Sequence, residues 1–427
     1  MPVEHREQAD GGADPMTFVS DFNRDRATPP QHICIVTETF PPEVNGVALT
    51  LSHLVKGLRA NGHRVSIVRP RQRKVDCPID DDSLTTLVRG LPLPGYRGLQ
   101  FGLPASRTLR DLWEVHRPDV VYIATEGPLG WSAVCAAKRL RIAAFSGFHT
   151  NYHTYSRHYR LGWLQQLVFK YLCGFHNRTV GTLVPTADLR DKLETLGFRN
   201  VSFVGRGVDT QLFGPQRRCA QLRRDWGVSE SDLVILYVGR LAPEKNLALA
   251  VNAYRSMQQK RPSVKFVLVG DGPLRASLQE QHRDLIFRGM LTGEQLARHY
   301  ASADMFLFPS ETETFGNVTL EAMASGLVVV AYDYAAAKLH IRNGETGVLV
   351  PYGDARAFID SATSMVWEAQ AINRMRQQAH DYVASIKWSR VVERFEALVT
   401  GPRDHIVEGP NSRMTSGGLA IAARGRL

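Results

Sequence analysis

Short apolar runs alternate with helix-length segments along most of the chain, and this alternation constrains the fold more than any other feature. Runs at 32–40 (HICIVTETF), 64–70 (RVSIVRP), 118–125 (PDVVYIAT) and 142–149 (IAAFSGFH) are separated by longer segments, several with helical spacing of their apolar residues. Continuous apolar runs of this length are typical of parallel strands that are buried on both faces. The repetition of strand, helix and strand predicts a parallel sheet covered by helices on both sides.

The same alternation starts again in the second half of the chain. Apolar runs recur at 233–240, 265–273, 304–310 and 327–333, again separated by helix-length segments. A chain of 427 residues is also too long for a single hydrophobic core. The fold class is therefore predicted to be α/β, with two Rossmann-like, doubly wound parallel-sheet domains. A ligand of such a pair is expected in the central cleft, where the carboxyl ends of the strands meet.

Composition and pattern together suggest a domain division. The predicted parts are a disordered tail at 1–30, an N-terminal Rossmann-like domain at 31–205, a C-terminal Rossmann-like domain at 206–387, a closing helix at 388–400 and a disordered basic tail at 401–427. The start of the second domain, 206–215, is interpreted as the hinge.

Bulk properties limit the partners and the compartment. The formal net charge of +10 permits a nucleic acid, an anionic membrane surface or an anionic small substrate as partner. No recognition helix, aromatic RNA-binding strand or zinc module supports a nucleic-acid partner. Five scattered cysteines, no signal peptide and no membrane-spanning apolar run predict a cytoplasmic protein. The sequence makes no prediction of oligomeric state.

The segment 309–326 (PSETETFGNVTLEAMASG) carries the strongest chemical signal. Glu313 and Glu321 are eight residues apart, and Gly316 stands between an apolar run and a helix-forming run. A glycine allows the backbone to approach a ligand closely, and the start of a helix presents free N–H groups to a diphosphate. Glu313 is placed to accept hydrogen bonds from sugar hydroxyls, and Glu321 from ribose hydroxyls. Two surface glutamates on an amphipathic helix are the alternative.

A second signal lies at 238–246 (VGRLAPEKN), where Arg240 and Lys245 follow an apolar run. Two cations at a strand end can bind a pyrophosphate and neutralise the charge that develops as it leaves. A pair of solvated surface charges is the alternative interpretation.

Together with the VGDGP turn between them, these two motifs resemble the donor half of glycosyltransferase family 4, whose fold is called GT-B. The likeness extends over roughly residues 31–400. It implies a retaining, metal-independent transferase that needs no cofactor and uses a UDP- or GDP-linked sugar as its donor substrate. By this resemblance, Arg240 and Lys245 bind the diphosphate, Glu313 the donor sugar and Glu321 the ribose. The remaining donor contacts predicted from this motif are Phe315, Gly316, Asn317 and Val318.

The N-terminal half also matches the family at several turns. PPEVNGVA (41–48) places Gly46 where a side chain would obstruct the donor, and TEGPLG (125–130) directs Glu126 and Gly127 toward the cleft as acceptor-side residues. FHTNYHTY (148–155) supplies His149 and His153. The resemblance places His149 beside the anomeric carbon, so we assign it a positioning and electrostatic part in catalysis and give His153 to the acceptor side. An ordinary turn glycine and a structural histidine are the alternatives.

A lipid acceptor is predicted from likeness and charge together. TETFPPEVNGVA and SGFHTNYHTYSRHY resemble sulfoquinovosyl-diacylglycerol synthase, phosphatidylinositol mannosyltransferase and bacterial diacylglycerol glycosyltransferases. The aromatic and basic segment 156–179 is a candidate for docking on an anionic membrane, which would place the enzyme peripherally at the inner face of the cytoplasmic membrane. A core-packing helix with a solvated basic face is the alternative for this segment.

Other functions remain open at this point. A polysaccharide or a small molecule could replace the lipid as acceptor, and an epimerase or phosphorylase would share the GT-B architecture. A catalytically inactive carbohydrate-binding relative is a non-enzymatic alternative. A nicotinamide-dependent oxidoreductase ranks low, because TETFPPEVNG follows the first apolar run instead of G-x-G-x-x-G.

Overall fold

The structure is a computed structural model that describes residues 29–43, 45–72, 84–92, 100–149 and 162–401, with the backbone alone over 162–165. The tails predicted at 1–30 and 401–427 lie outside the described residues, apart from residues 29, 30 and 401.

The first sheet contains seven parallel strands among the described residues, in the order β3-β2-β1-β6-β7-β8-β9. Their bounds are β1 His32–Val36, β2 Arg64–Pro70, β3 Thr85–Val88, β6 Val120–Ile123, β7 Ala143–Gly147, β8 Gly181–Val184 and β9 Val201–Phe203. A short antiparallel pair, β4 Gly90–Pro92 and β5 Gln100–Gly102, follows β3.

The second sheet contains six parallel strands, counted over the same described ranges, in the order β12-β11-β10-β13-β14-β15. Their bounds are β10 Val234–Val238, β11 Lys265–Val269, β12 Ile286–Gly289, β13 Met305–Phe308, β14 Val328–Tyr332 and β15 Val348–Val350. The two sheets confirm the predicted fold class of doubly wound parallel sheets.

Helices connect the strands in both halves. Their bounds are α1 Gly46–Ala60, α2 Ser106–Val115, α3 Pro128–Leu140, α4 Gly162–His176, α5 Ala187–Thr195, α6 Ala220–Asp225, α7 Leu247–Lys260, α8 Arg275–Gln281, α9 Gly293–Ser302, α10 Asn317–Ala324, α11 Ala335–His340, α12 Ala355–Ser364, α13 Ala369–Val383 and α14 Trp388–Thr400. Short 3-10 turns lie at Pro215–Arg217, Pro243–Lys245 and Met365–Trp367.

Several strands end earlier than the apolar runs predict, and local chemistry explains two of these differences. β1 stops at Val36 because Thr37 and Thr39 form a side-chain turn, in which the Thr37 hydroxyl donates to the Thr39 carbonyl at 2.8 Å. β11 stops at Val269 because Gly270 has a φ of +135°, a conformation outside the range of a strand. These exits direct the following loops away from the sheets at the strand ends.

The final helix, α14, packs on the first sheet although it follows the second sheet in the chain. Val392 and Phe395 of α14 belong to the same apolar core as Ile33 and Leu51. At Gly57 of α1, an added Cβ would lie 2.4 Å from a Val392 methyl group, so a glycine is required for this close helix contact. The closing helix is therefore part of the N-terminal half in space.

The chain crosses between the halves twice, and the two crossings run side by side. The Val208 N–H donates to the Ile386 carbonyl at 3.2 Å, and Val208 pairs with Lys387 in an isolated parallel bridge. Gly207 lies against the backbone of Trp388, where an added Cβ would approach the Trp388 nitrogen to 2.6 Å. The segment predicted as the hinge thus begins at a paired double crossing.

Helix α4 lies in the segment 156–179, for which the sequence allows either a membrane-docking surface or a core-packing helix. The helix has an inner and an outer face. Leu172 and Phe175 are buried, while Leu167, Lys170 and Tyr171 are exposed. The inner face packs as the core-packing alternative requires, and the outer face offers apolar and basic groups to the surroundings. Within the described part of the chain, every helix is too short or too polar to span a bilayer.

Candidate active site

The predicted donor residues gather at the carboxyl ends of β10 and β13. After β10 the chain turns at Gly239 into Arg240, and a 3-10 turn then places Lys245. After β13 the loop at 309–316 leads into α10. Because β10 and β13 are adjacent parallel strands, both loops leave the same edge of the sheet. The sheet topology thus brings together the two motifs that are far apart in sequence.

Glu313 is held on several sides. Its side chain forms an ion pair with the Lys245 ammonium and accepts a hydrogen bond from the Ser310 hydroxyl at 2.8 Å. Its backbone carbonyl accepts a hydrogen bond from the Tyr334 hydroxyl at 2.6 Å. The carboxylate is 15% exposed, so it remains reachable from the solvent side while its position is fixed. A carboxylate held in this way is suited to accept hydrogen bonds from a polar ligand.

Arg240 is also held by neighbouring groups, although its side chain is more exposed, at 36%. Its carbonyl accepts a hydrogen bond from the buried Tyr237 hydroxyl at 3.1 Å, and its guanidinium lies 3.5 Å from a Glu244 oxygen. Both cations predicted to bind a diphosphate are therefore paired with carboxylates in this structure. An anion that bound Arg240 and Lys245 would therefore have to displace these carboxylates.

The start of α10 provides backbone donors at this edge. Gly316 has a φ of +94°, which favours glycine, and no side chain caps the helix there. Phe315 is buried and stacks edge-on against His340, which anchors the loop. Val318 packs against the core, and Asn317 faces the first sheet: an added Cβ at Gly46 would lie 3.9 Å from the Asn317 amide nitrogen. Gly46, at the start of α1, thus lies opposite the start of α10.

Glu321 is buried and has a protein hydrogen-bond donor. The Tyr300 hydroxyl donates to one Glu321 oxygen at 3.0 Å. Burial raises the pKa of Glu321 to about 7, although the Tyr300 hydrogen bond favours the ionised carboxylate. Sequence reasoning did not identify Tyr300 because its contact with Glu321 depends on how α9 packs against α10.

On the first sheet, His149 lies just beyond the end of β7, and protein groups contact both of its ring nitrogens. The Arg206 guanidinium lies 3.0 Å from Nδ1, and the Tyr122 hydroxyl lies 3.1 Å from Nε2. Gly147 makes room for this arrangement, because an added Cβ there would lie 2.2 Å from the Tyr122 oxygen. Arg206 and Tyr122 were both missed from the sequence.

A hydrogen bond joins the two halves at this point. The Thr314 hydroxyl, next to Glu313, donates to the His149 carbonyl at 2.9 Å. The structure thus connects the predicted donor loop directly to the predicted positioning histidine. His153 lies outside the described residues.

Glu126 and Gly127 mark the start of α3 on the same side of the first sheet. Glu126 lies 3.4 Å from His176 Nε2, and its carbonyl accepts a hydrogen bond from the Tyr171 hydroxyl at 2.5 Å. Gly127 lies against the Glu38 carboxylate, which an added Cβ would approach to 2.1 Å. Burial raises the pKa of Glu38 to about 7, the backbone hydrogen bond from Leu129 opposes this, and the charge of Glu126 adds to it. Glu38 is thus a further acidic residue beside Glu126 and Gly127, the residues predicted for the acceptor side.

The arrangement combines paired cations, backbone N–H groups at a helix start and fixed carboxylates, which suits a phosphorylated and hydroxylated ligand. Among the residues that the structure describes, no group of three or more His, Cys, Asp or Glu side chains is placed to hold a metal ion.

Comparisons with known proteins identify the family of the chain. A profile described as Glycosyltransferase Family 4 matches residues 44–212, and one described as Glycosyl transferases group 1 matches residues 232–366. The chain is 31% identical over 382 residues to a GDP-mannose-dependent alpha-mannosyltransferase of Corynebacterium glutamicum, with 89% of each chain covered. It is 27% identical over 313 residues to an alpha-monoglucosyldiacylglycerol synthase of Streptococcus pneumoniae, with 70% of each covered.

A solved structure shares the fold. The Anabaena protein HepE, in complex with UDP and glucose, superposes with a TM-score of 0.69 at 17% identity, covering 86% of this chain and 99% of that one. At this identity the likeness supports the GT-B architecture alone. The two family profiles and the mannosyltransferase relative confirm the family resemblance in the sequence, and this chain therefore belongs to glycosyltransferase family 4, as a nucleotide-sugar glycosyltransferase with the GT-B fold.

Proposed function

We propose that this protein transfers a hexose, with retention of configuration and without a metal ion, from a nucleoside diphosphate sugar to a membrane lipid. GDP-mannose is the first donor to test, because relatives that match most of the chain are GDP-mannose-dependent mannosyltransferases. The observation that carries the proposal is the pairing of Lys245 with Glu313 at the end of adjacent parallel strands. This pair offers one cation to a diphosphate and one carboxylate to a sugar.

Donor binding is proposed to exchange one set of partners for another. The diphosphate takes Lys245 and Arg240 from their carboxylates, and sugar hydroxyls then donate to Glu313 in place of the Lys245 ammonium. As the bond from C1 of the sugar to the phosphate oxygen breaks, negative charge grows on the diphosphate. The two cations and the N–H groups at the start of α10 stabilise that charge, which is the task a divalent cation would otherwise serve.

Retention follows from the side on which the acceptor attacks. The acceptor oxygen forms its bond to C1 on the face from which the diphosphate leaves, and its proton passes to the departing phosphate oxygen. No protein base is required in this scheme. Its support is that Arg206 and Tyr122 contact both ring nitrogens of His149, so the imidazole has no spare lone pair for the acceptor proton.

The lipid acceptor is supported by the outer face of α4. Leu167 is 52% exposed and Tyr171 42% exposed, and Lys170 adds a positive charge beside them. The Tyr171 hydroxyl also bonds to the Glu126 carbonyl, so this face adjoins the acceptor side of the site. An interfacial face with both aromatic and basic residues suits an anionic bilayer, and it would hold the enzyme peripherally at the inner face of the cytoplasmic membrane. A relative named as a monoglucosyldiacylglycerol synthase agrees with this acceptor class.

Transfer assays with several donors test the reaction. Purified protein is given GDP-mannose, UDP-glucose, UDP-galactose or UDP-glucuronate with detergent-dispersed diacylglycerol, with and without EDTA. We expect one donor to be consumed, an α-linked glycolipid by NMR and no loss of rate with EDTA. A β-linked product would refute retention, and a loss of rate with EDTA that added Mg²⁺ restores would refute metal independence. Donor binding without transfer to diacylglycerol would refute diacylglycerol as the acceptor.

Vesicle binding tests the membrane face separately. Leu167→Ser combined with Lys170→Glu should reduce co-sedimentation with phosphatidylglycerol vesicles by about tenfold, since it removes an apolar contact and reverses a charge. Trp367→Ser is the matched control, because Trp367 is 66% exposed in the other half of the molecule. Equal binding by the double variant and the wild type would refute docking through α4.

A further inference from the structure

Arg206 is a buried cation whose hydrogen-bond acceptors are neutral. It is 7% exposed and lies where the chain leaves the first sheet. Its guanidinium donates to His149 Nδ1 at 3.0 Å and to the Gly205 carbonyl at 3.3 Å. Within the described ranges, no carboxylate lies within ion-pair distance of it. Burial lowers the pKa of Arg206 to about 10, so it keeps its charge at neutral pH. A buried cation is costly, and one bound to neutral acceptors calls for an explanation other than ion pairing.

The contact with Arg206 determines which His149 nitrogen carries the proton. A guanidinium can only donate hydrogen bonds, so Nδ1 must accept with its lone pair. In the neutral ring the proton is then on Nε2, which donates to the Tyr122 oxygen at 3.1 Å. The two contacts define one tautomer of the ring.

The surroundings of His149 also disfavour its protonation. Burial lowers the pKa of His149 well below its usual range, and the charges of Arg206 and His176 lower it further. The groups that face the ring and its backbone are Arg206, Tyr122, His176 and the Thr314 hydroxyl on its carbonyl. The Glu126 carboxylate lies 3.4 Å from His176 Nε2. No carboxylate among the described neighbours contacts this imidazole to stabilise a positive charge on it.

We propose that Arg206 is a positioning residue that keeps His149 in its neutral form, with the proton on Nε2, during sugar transfer. The role rests on the proposed function and on the position beside the anomeric carbon that the family resemblance implies for His149. The sugar ring gains positive charge as its bond to the diphosphate breaks, and an imidazolium beside it would oppose that change. A neutral ring adds no positive charge beside the sugar, and its Nε2–H group remains bonded to the Tyr122 oxygen. The guanidinium remains on the Nδ1 side, behind the ring.

A spectroscopic measurement tests the tautomer without reference to activity. The full-length protein is labelled with ¹⁵N-histidine, and the His149 signals are assigned by their loss in His149→Gln. We expect Nδ1 to be unprotonated and Nε2 protonated from pH 6 to pH 8 in the wild type. Tyr122→Phe should leave this tautomer intact, because Arg206 still occupies Nδ1. A proton on Nδ1, or a doubly protonated ring at pH 7, would overturn the proposal.

The pH dependence of turnover tests the role in transfer. In Arg206→Met, His149 should titrate closer to neutral pH, so kcat relative to wild type should be lower at pH 6 than at pH 8 by about two- to fourfold, the limit set by an ordinary histidine pKa, with the donor KM little changed. Arg206→Lys keeps a charge and a donor and should restore most of the wild-type profile. A loss in Arg206→Met that is equal at all pH values would show that the residue is only structural.

The two measurements separate this inference from the proposed function. If no donor supports transfer, the proposed function fails, while the ¹⁵N spectrum of the wild type still decides the tautomer. If Arg206→Met does not fold, the wild-type spectrum and Arg206→Lys carry the test, and a proton on Nδ1 of His149 in either would refute the proposal.

Discussion

On the second sheet, Lys245 lies against Glu313 and Arg240 against Glu244, whereas on the first sheet Arg206 is buried with an imidazole and a carbonyl as its acceptors. The paired cations can exchange their carboxylates for a diphosphate, so each cation keeps an anionic partner throughout. Arg206 has no such partner to exchange among the described residues, so we expect its contacts to persist when ligands bind. The comparison suggests that one side of the site responds to the donor and the other holds its geometry.

The largest effect is expected from a substitution that breaks the ion pair between Lys245 and Glu313. Glu313→Gln removes the carboxylate that would accept from the sugar, so turnover at saturating donor should fall by about 100- to 1000-fold. Lys245 loses its ion-pair partner in this variant, and calorimetry should therefore show that nucleoside diphosphate binding does not weaken.

Glu311→Gln is the matched control for this substitution, since Glu311 is in the same loop and contacts the Asn246 amide at 3.2 Å. It should retain turnover to within a few-fold. Full turnover by Glu313→Gln would remove Glu313 from the site.

A second, smaller effect is expected on the pH dependence of stability, and it can be measured for one buried carboxyl group in each half. Burial raises the pKa of both Glu38 and Glu321 from 4.5 to about 7. Between these values the folded protein binds more protons than the unfolded chain, so the free energy of unfolding should decrease as the pH rises from about 4.5 to 7. Relative to Glu321→Gln or Glu38→Gln, the wild type should lose about 1–3 kcal/mol between pH 5 and pH 8.

Denaturant unfolding at both pH values measures this difference. Each variant reports on its own half, because Glu38 follows β1 and Glu321 lies in α10. A parallel pH dependence in the wild type and a variant would show that the pKa of that carboxyl is not raised.

The smallest expected effect concerns the hydroxyl that holds Glu321. Tyr300→Phe removes the hydrogen bond to one Glu321 oxygen, which should raise the donor KM by about 2- to 10-fold while leaving kcat nearly unchanged. Tyr254→Phe is a suitable control, because its hydroxyl bonds to Asp284 at 3.3 Å, away from the donor residues. An unchanged KM in Tyr300→Phe would separate Tyr300 from donor binding.

More of the strands and contacts of the second half than of the first could be predicted from the sequence. The buried strands β10, β11, β13 and β14 are continuous apolar runs, and the motif residues follow them directly. Strands β12 and β15 were missed because β12 includes the exposed Arg288 at the sheet edge and β15 is three residues long. The motif around Glu313 and Glu321 predicts a donor site there, but the pairing of Glu313 with Lys245 depends on the adjacency of β10 and β13.

On the first sheet, the sequence identified His149 but neither of its partners. Tyr122 is within β6, and it reaches His149 because β6 and β7 are paired and Gly147 leaves space between them. Arg206 lies 57 residues from His149 in a segment with no periodic pattern. A single arginine in a connection carries no local signal, so only the tertiary arrangement identifies its contact.

The double crossing at Val208 and Lys387 has a consequence for how the molecule is made. Residues 209–386 form an insertion within a unit whose first sheet is synthesised early and whose last helix is synthesised late. On the ribosome, the second sheet can complete its core before α14 emerges, while the α1 side of the first sheet must wait with Leu54 and Val55 uncovered. We therefore expect the half that begins the chain to be the last to finish folding, and nascent chains that stop before Trp388 to leave the apolar α1 side of the first sheet exposed.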